Sequence, residues 1–119
     1  MDDESRTLSD LKGKVADFVG EREWEQFHSP KNLSMAITIE AAELMELFQW
    51  ATLEESRSLC SEPERAERVR EEIADIVIYC LSLCNILGID LTAAVESKIE
   101  KNVSKYPRDL YRGRYEERG

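Results

Sequence analysis

Two pairs of acidic residues at helical spacing are the feature of this sequence with the clearest chemical use. Glu40 and Glu43 form the first pair, and Glu72 and Asp75 form the second. On a helical wheel that starts at Leu33 and advances about 100° per residue, Glu40 falls at about 340° and Glu43 at about 280°, among apolar side chains. The second pair likewise lies on the apolar side of its own helix. The four carboxylates are therefore predicted to point toward whatever these two helices pack against.

Carboxylates on an apolar face need an explanation, because burying an unpaired ion is costly and such groups neutralise, pair or bind a metal. An all-oxygen set suits Mg²⁺, with Mn²⁺ as a substitute, and these ions commonly accompany substrate phosphates. The alternative is a solvated acidic surface, as we predict for Glu54, Glu55, Glu64, Glu67 and Glu71. Two pairs, each on an apolar face, favour the metal site.

Composition limits the classes of protein to which the chain can belong. It has 119 residues, 34% of them charged and 42% apolar, with a formal net charge of −9. These values predict a single globular domain over residues 1–119, with a core at about 8–107 and a polar tail at 108–119. The negative charge argues against nucleic-acid binding. With no signal-like N-terminus, no long apolar run and three cysteines without framework spacing, the chain is predicted to be cytoplasmic and not membrane-bound.

Proline, glycine and capping residues divide the chain into four predicted helices and no strand. The helices are predicted from about Leu8 to Arg22, from Pro30 to about Trp50 or Ala51, from Pro63 to Gly88, and from Leu91 to about Lys105. A proline in the first turn of a helix loses no hydrogen bond, and glycine suits a left-handed helix stop. The polar stretch after the second helix is predicted to be a loop. The fold class is therefore all-α, as a four-helix bundle.

The third predicted helix is apolar around most of its circumference between Ile73 and Leu87. A helix of this kind is buried on every side, yet a four-helix chain of this size covers only one or two of its faces. The surplus predicts an interface between subunits and an obligate oligomer with two-fold symmetry.

Aromatic residues are few but cluster in sequence near the acid pairs. Trp24, Phe27 and His28 lie in the connection before the second helix, Trp50 closes that helix, and Tyr79 lies one turn beyond the second acid pair. Their rings offer a stacking surface for a nucleobase. Each ring taken alone is more typical of a hydrophobic core. Their joint placement near the acid pairs makes a core and a binding pocket about equally favoured.

Polar residues elsewhere refine the chemistry. The three candidates for contact with phosphate oxygens share one face of the fourth helix: Lys98, Lys101 and Asn102. A solvated basic face is the alternative. His28 is the only histidine, so the Glu-x-x-His pattern of di-iron bundles is absent. A serine or cysteine hydrolase would have to use His28 as its base, and no nucleophile motif accompanies that residue.

Three stretches of sequence resemble a known family: residues 21–33 (EREWEQFHSPKNL), 40–50 (EAAELMELFQW) and 71–79 (EEIADIVIY). They are similar to the all-α nucleoside triphosphate pyrophosphohydrolases of the MazG-like superfamily, and most similar to its dCTP pyrophosphatase branch. The paired acids are shared by the superfamily, whereas WEQFH and FQW are typical of that branch. The resemblance extends from about Leu8 to Pro107.

The resemblance implies a homotetramer, built as a dimer of dimers, that hydrolyses a nucleotide between its α- and β-phosphates. The implied Mg²⁺ ligands are Glu40, Glu43, Glu72 and Asp75. The implied pocket for base and sugar consists of Trp24, Glu25, Gln26, Phe27, His28, Trp50 and Tyr79. Animal members of this branch place a histidine on the first helix where this chain has Val15, which leaves the preferred base open.

Together these observations predict a Mg²⁺-dependent pyrophosphohydrolase that removes dCTP or modified pyrimidine deoxynucleotides from the nucleotide pool. Glu40 or Glu43 is the candidate to orient or deprotonate the attacking water. An enzymatic alternative is a house-cleaning pyrophosphatase that accepts many nucleoside triphosphates. An alternative of another class is a non-catalytic helical oligomer whose acids serve only protein contacts.

Overall fold

A computed structural model describes residues 1–113, and helices are the only regular secondary structure in that range. The elements are α1 (Leu8–Glu21), a 3₁₀ turn (Trp24–Phe27), α2 (Pro30–Glu46), α3 (Leu53–Ser58), a second 3₁₀ turn (Leu59–Ser61), α4 (Pro63–Leu87), α5 (Leu91–Lys105) and α6 (Arg108–Tyr111). The all-α prediction is confirmed, and α1, α2, α4 and α5 are the four predicted helices.

Local capping chemistry explains where these helices begin and end. The Thr7 side chain accepts a hydrogen bond from the Asp10 backbone N–H at 3.1 Å, and the Asp10 carboxylate accepts one from the Thr7 N–H in return. Ser29 caps α2 and Asp90 caps α5 through the side-chain oxygen alone, which accepts a hydrogen bond from the backbone N–H of Asn32 and of Ala93 respectively. Gly88 ends α4 in the left-handed conformation, with φ at 66°.

The prediction that the second helix extends to Trp50 or Ala51 is wrong, because α2 ends at Glu46. Beyond that residue the backbone N–H groups bond mainly to the carbonyl three residues back, which tightens the chain into turns. Thr52 then starts α3 through a capping box with Glu55. The predicted polar loop therefore contains a helix, whose Thr-x-x-Glu signature is present in the sequence.

The described helices fall into two compact units, Met1–Gly88 and the part that begins at Ile89. In the first unit α4 packs against both α1 and α2. Leu33 of α2 and Leu81 of α4 are the large side chains buried most completely there. The second unit contains α5 and α6. A single domain for the whole chain remains a prediction, and residues 114–119 of the predicted tail lie outside the described residues.

The apolar surplus predicted for the third helix is present as exposed surface in the single chain. Exposed apolar side chains on α4 are Ile73, Val77, Ile78, Ile86 and Leu87, and those on α5 are Val95, Ile99 and Val103. A groove of 420 Å³ between α1 and α4 is lined almost entirely by apolar side chains, Leu11, Phe18 and Val77 among them. Assembly of chains through this surface remains a prediction.

Helix α4 is the longest element at 25 residues, but its apolar part is short. Within residues 1–113, no single helix is long and apolar enough to cross a membrane. Taken together as a bent pair, α4 and α5 do have the necessary length and composition. A core helix of a globular protein passes the same test, so one such pair is weak evidence for a membrane span.

Candidate active site

Helices α2 and α4 bring three of the four predicted metal ligands together. One carboxylate oxygen from each of Glu40, Glu43 and Glu72 lies within 4.8 Å of the other two. Helix α2 supplies the first two from one face, since residues three apart are neighbours on a helix surface. Helix α4 supplies the third because it packs directly against α2. We call these three residues the acid cluster.

Two oxygen atoms of the acid cluster are shielded from solvent and have no hydrogen-bond partner, namely Glu40 Oε2 and Glu72 Oε2. A buried charged oxygen without a donor is unfavourable, and a cation would supply the missing positive charge. In an octahedral Mg²⁺ site the ligand oxygens lie about 2.9–4.2 Å apart, so small side-chain rotations would suffice here. The residues present therefore fit a hard divalent cation.

The electrostatics of the cluster point in the same direction. Burial raises the pKa of Glu40 to about 7, assisted by the close approach of the Glu72 and Glu43 carboxyl groups and by the negative charges of Glu43 and Asp75. Without a cation, the cluster thus retains a proton close to neutral pH. Like charges that converge in a poorly solvated place are typical of functional sites.

Asp75, the fourth predicted ligand, is half-buried on α4. It does not belong to the group of three whose oxygens lie within 4.8 Å of one another. Its charge nevertheless contributes to the raised pKa of Glu40, so it lies near the cluster. Its role as a metal ligand remains a prediction.

Four aromatic or imidazole rings form an unbroken series of neighbouring contacts, which we call the ring cluster: Phe18, Trp24, His28 and Tyr79. Successive ring centroids are 5.6, 6.4 and 6.4 Å apart. Glu23 adopts a left-handed conformation with φ at 53°, and this turn directs Trp24 back onto Phe18 of α1. The structure thus unites three of the residues predicted to bind a base, and it adds Phe18, which the sequence did not indicate.

The ring cluster is attached to α4 through a hydrogen bond between His28 Nδ1 and Ser82 Oγ, at 3.3 Å. Ser82 is the one buried polar residue among residues 1–113, with 4% of its surface exposed. A cavity of 140 Å³ beside this pair is also lined by Glu25 and Asn85. Sequence reasoning missed Ser82, although a hydroxyl inside an otherwise apolar run was the available signal.

The remaining predicted pocket residues are not gathered around these rings. Trp50 is 89% exposed in the turn after α2, makes no ring contact within the described part of the chain, and lines a separate cavity of 580 Å³ with Arg65 and Arg68. Phe27 is exposed, and Gln26 donates a hydrogen bond to a backbone carbonyl in its own turn. The three predicted phosphate contacts, Lys98, Lys101 and Asn102, lie on α5 in the second unit. All these roles remain predictions.

Comparison with known proteins decides the family. A model of the MazG-like family matches residues 35–117, which is more than half of the chain and contains both acid pairs. The chain belongs to the MazG-like family. The family predicted from the acid pairs and the flanking motifs is therefore confirmed.

This MazG-like protein is 41% identical over 107 residues to dCTP pyrophosphatase 1 from Rattus norvegicus and 42% identical over 106 residues to dCTP pyrophosphatase 1 from Homo sapiens. These matches cover 90% and 89% of the chain, but only 63% and 62% of the two relatives, so the chain spans less than two thirds of their length. It also matches the crystal structure of a pyrophosphatase from Archaeoglobus fulgidus, with 39% identity and a TM-score of 0.80. That match covers 90% of this chain and 98% of the archaeal one.

Proposed function

We propose that this MazG-like protein is a Mg²⁺-dependent nucleotide pyrophosphohydrolase that converts dCTP, or a modified pyrimidine deoxynucleoside triphosphate, to the monophosphate and pyrophosphate. The observation that carries the proposal is the acid cluster with its two shielded and unpartnered oxygens. The names of the relatives, dCTP pyrophosphatase 1 and an archaeal pyrophosphatase, support the class of reaction.

The side chains of the acid cluster have two roles in this proposal, which are to bind the cation and to activate the attacking water. Glu40, Glu43 and Glu72 would hold the cation, and Asp75 would be the fourth ligand. When bound, the cation neutralises charge on the triphosphate and polarises the phosphorus under attack. Glu40 or Glu43 orients the attacking water and accepts its proton. The water oxygen bonds to the α-phosphorus while the bond to the bridging oxygen breaks, and pyrophosphate leaves.

The ring cluster supplies the proposed surface for the base. Trp24 and Tyr79 flank His28, and stacking of a base on an aromatic side chain contributes about 1–3 kcal/mol. Glu25, Gln26, Phe27 and Trp50 complete the proposed pocket. Lys98, Lys101 and Asn102 are the proposed contacts to phosphate oxygens.

The deciding experiment measures pyrophosphate release from the four common dNTPs and 5-methyl-dCTP, with Mg²⁺ and with EDTA. We expect pyrimidine deoxynucleotides to be hydrolysed at least about tenfold faster than purine ones, and all activity to disappear in EDTA. A flat profile across the bases would instead support the broad house-cleaning alternative.

A charge-removing substitution separates catalysis from a purely structural role of the acids. Glu43→Gln keeps the size of the side chain and should lower kcat by about 100-fold or more. Glu46→Gln, one turn further along α2 and outside the acid cluster, is the matched control and should keep wild-type activity. Mg²⁺-dependent release that persists in folded Glu43→Gln would favour the non-catalytic helical oligomer.

We also propose that the working form is a homotetramer. The exposed apolar side chains of α4 and α5 support this proposal, because an isolated chain would leave them in contact with water. Subunit contacts through these faces would bury them and give a closed, symmetric assembly.

A further inference from the structure

We propose that Ser82 fixes the tautomer of His28, so that His28 Nε2 carries the proton and donates a hydrogen bond to the carbonyl oxygen at C2 of a pyrimidine base. Ser82 acts through His28 and is therefore a positioning residue. The base contact rests on the proposed function, whereas the tautomer rests only on the contacts of these two side chains.

The hydroxyl proton of Ser82 needs an acceptor. The residue is 4% exposed, and its only hydrogen-bond partner within residues 1–113 is His28 Nδ1, at 3.3 Å. A serine on a helix often donates to the carbonyl four residues back, but that bond is not made here. A buried O–H without an acceptor is unfavourable, and the lone pair of Nδ1 is the acceptor within reach. The hydroxyl therefore donates to Nδ1.

This assignment determines the other side of the imidazole. When Nδ1 accepts a hydrogen bond, the neutral ring carries its proton on Nε2. Nε2 is then the ring nitrogen that remains for a ligand, and it is a donor. The opposite arrangement, in which Nδ1–H donates to Ser82, would leave the hydroxyl proton without an acceptor and turn Nε2 into an acceptor.

The surroundings of His28 indicate what the Nε2–H group meets. The ring centroids of Trp24 and Tyr79 each lie 6.4 Å from that of His28, so the imidazole that carries the donor has two aromatic neighbours suited to stacking on a flat base. All pyrimidines have a carbonyl at C2, whereas adenine has no carbonyl. Ser82 thus favours pyrimidines over adenine but does not distinguish cytosine from uracil, since both present the same acceptor.

The tautomer can be measured directly because His28 is the only histidine in the sequence. Long-range ¹H–¹⁵N correlation spectra of the untagged protein, labelled with ¹⁵N-histidine, distinguish Nε2–H from Nδ1–H. We expect Nε2–H in the wild type and in Ser82→Thr, which keeps the hydroxyl, and a mixture of tautomers in Ser82→Ala. An Nδ1–H tautomer in the wild type would overturn the proposal, and this reading requires no variant to fold.

Kinetics test the base contact. Ser82→Ala should raise KM for dCTP and dUTP by about five- to tenfold, the effect of one neutral hydrogen bond, with kcat changed less than about threefold. KM for dATP and for the base-free 2′-deoxyribose 5′-triphosphate should not change. In Ser82→Thr, KM for dCTP and dUTP should return most of the way to the wild-type value. The proposal would be overturned if KM for dCTP were unchanged in Ser82→Ala, or if KM for the base-free substrate rose by the same factor.

The two proposals fail in different ways. A wild type with the Nε2–H tautomer that hydrolyses none of these nucleotides would refute the proposed function, and the base contact with it. A wild type that hydrolyses dCTP but has the Nδ1–H tautomer would refute only the assignment of Ser82. Thermal melts of both variants show whether each is folded at the assay temperature.

Discussion

At the scale of single residues, burial and neighbouring carboxyl groups raise the pKa of Glu40. This shift makes the stability of the protein depend on pH with a definite sign. The pKa of Glu40 is raised from the usual 4.5 of a glutamate to about 7 in the folded chain. Between these values the folded chain binds a proton that the unfolded chain has lost. The free energy of unfolding of the metal-free protein should therefore fall as the pH rises through this window. Urea unfolding in EDTA between about pH 5 and pH 8 measures this fall.

Glu40→Gln is the control for that titration, because its amide cannot ionise and the fall should become smaller. Saturating Mg²⁺ should also reduce the fall, since the cation stabilises the charged carboxylates and binds only the folded cluster. Wild-type stability that rises from pH 5 to pH 8 in EDTA would contradict the raised pKa. Stability at pH 8 that Mg²⁺ leaves unchanged would contradict the metal site.

The acid cluster was predictable from sequence because helix geometry is local, so the spacing of Glu40 and Glu43 alone places both on one face. The hydrogen bond between His28 and Ser82 was not predictable in this way. It joins a turn before α2 to the C-terminal part of α4, and only the packing of the tertiary structure brings these residues together.

Among elements, the same contrast separates the correct helix ends from the wrong one. Ser29 and Asp90 begin helices through their own side-chain oxygens, and Gly88 ends α4 through its backbone freedom. The end of α2 at Glu46 has no such marker, because the residues that follow are good helix formers. The chain turns after Glu46, and Thr52 then starts α3. The signal for this change lies in the residues that follow α2 and not in α2 itself.

Two glycine substitutions test the local part of this account. Gly13 lies inside α1 and Gly88 has φ at 66°, and an added Cβ would meet no atom within 4 Å at either position. Gly13→Ala should stabilise the protein by about 0.5–1 kcal/mol, because alanine favours a helix interior. Gly88→Ala should destabilise it by about 1–2 kcal/mol, because alanine is strained in the left-handed region. Chemical denaturation measures both, and shifts of the same sign would contradict the role of Gly88.

For the whole molecule, the exposed apolar face of α4 predicts that assembly depends on side chains that do not belong to the acid cluster. Ile78 and Val77 are 44% and 40% exposed in the single chain, and both line the groove between α1 and α4. Contact with a second chain would remove this surface from water, at about 25 cal/mol per Å² of apolar area. A carboxylate placed in such a contact would have to lose its hydration, which is strongly unfavourable.

Ile78→Asp should therefore dissociate the assembly into smaller species while the chain stays helical. Thr92→Asp adds the same charge at an exposed polar position in the first turn of α5, where a helix tolerates an acid, and should leave the assembly intact. Sedimentation velocity, with circular dichroism on the same samples, measures both outcomes. A wild type that sediments as a single chain would refute the oligomer itself. An Ile78→Asp variant of unchanged size would show that subunits meet elsewhere. The exposed side chains of α5 would then be the next surface to substitute.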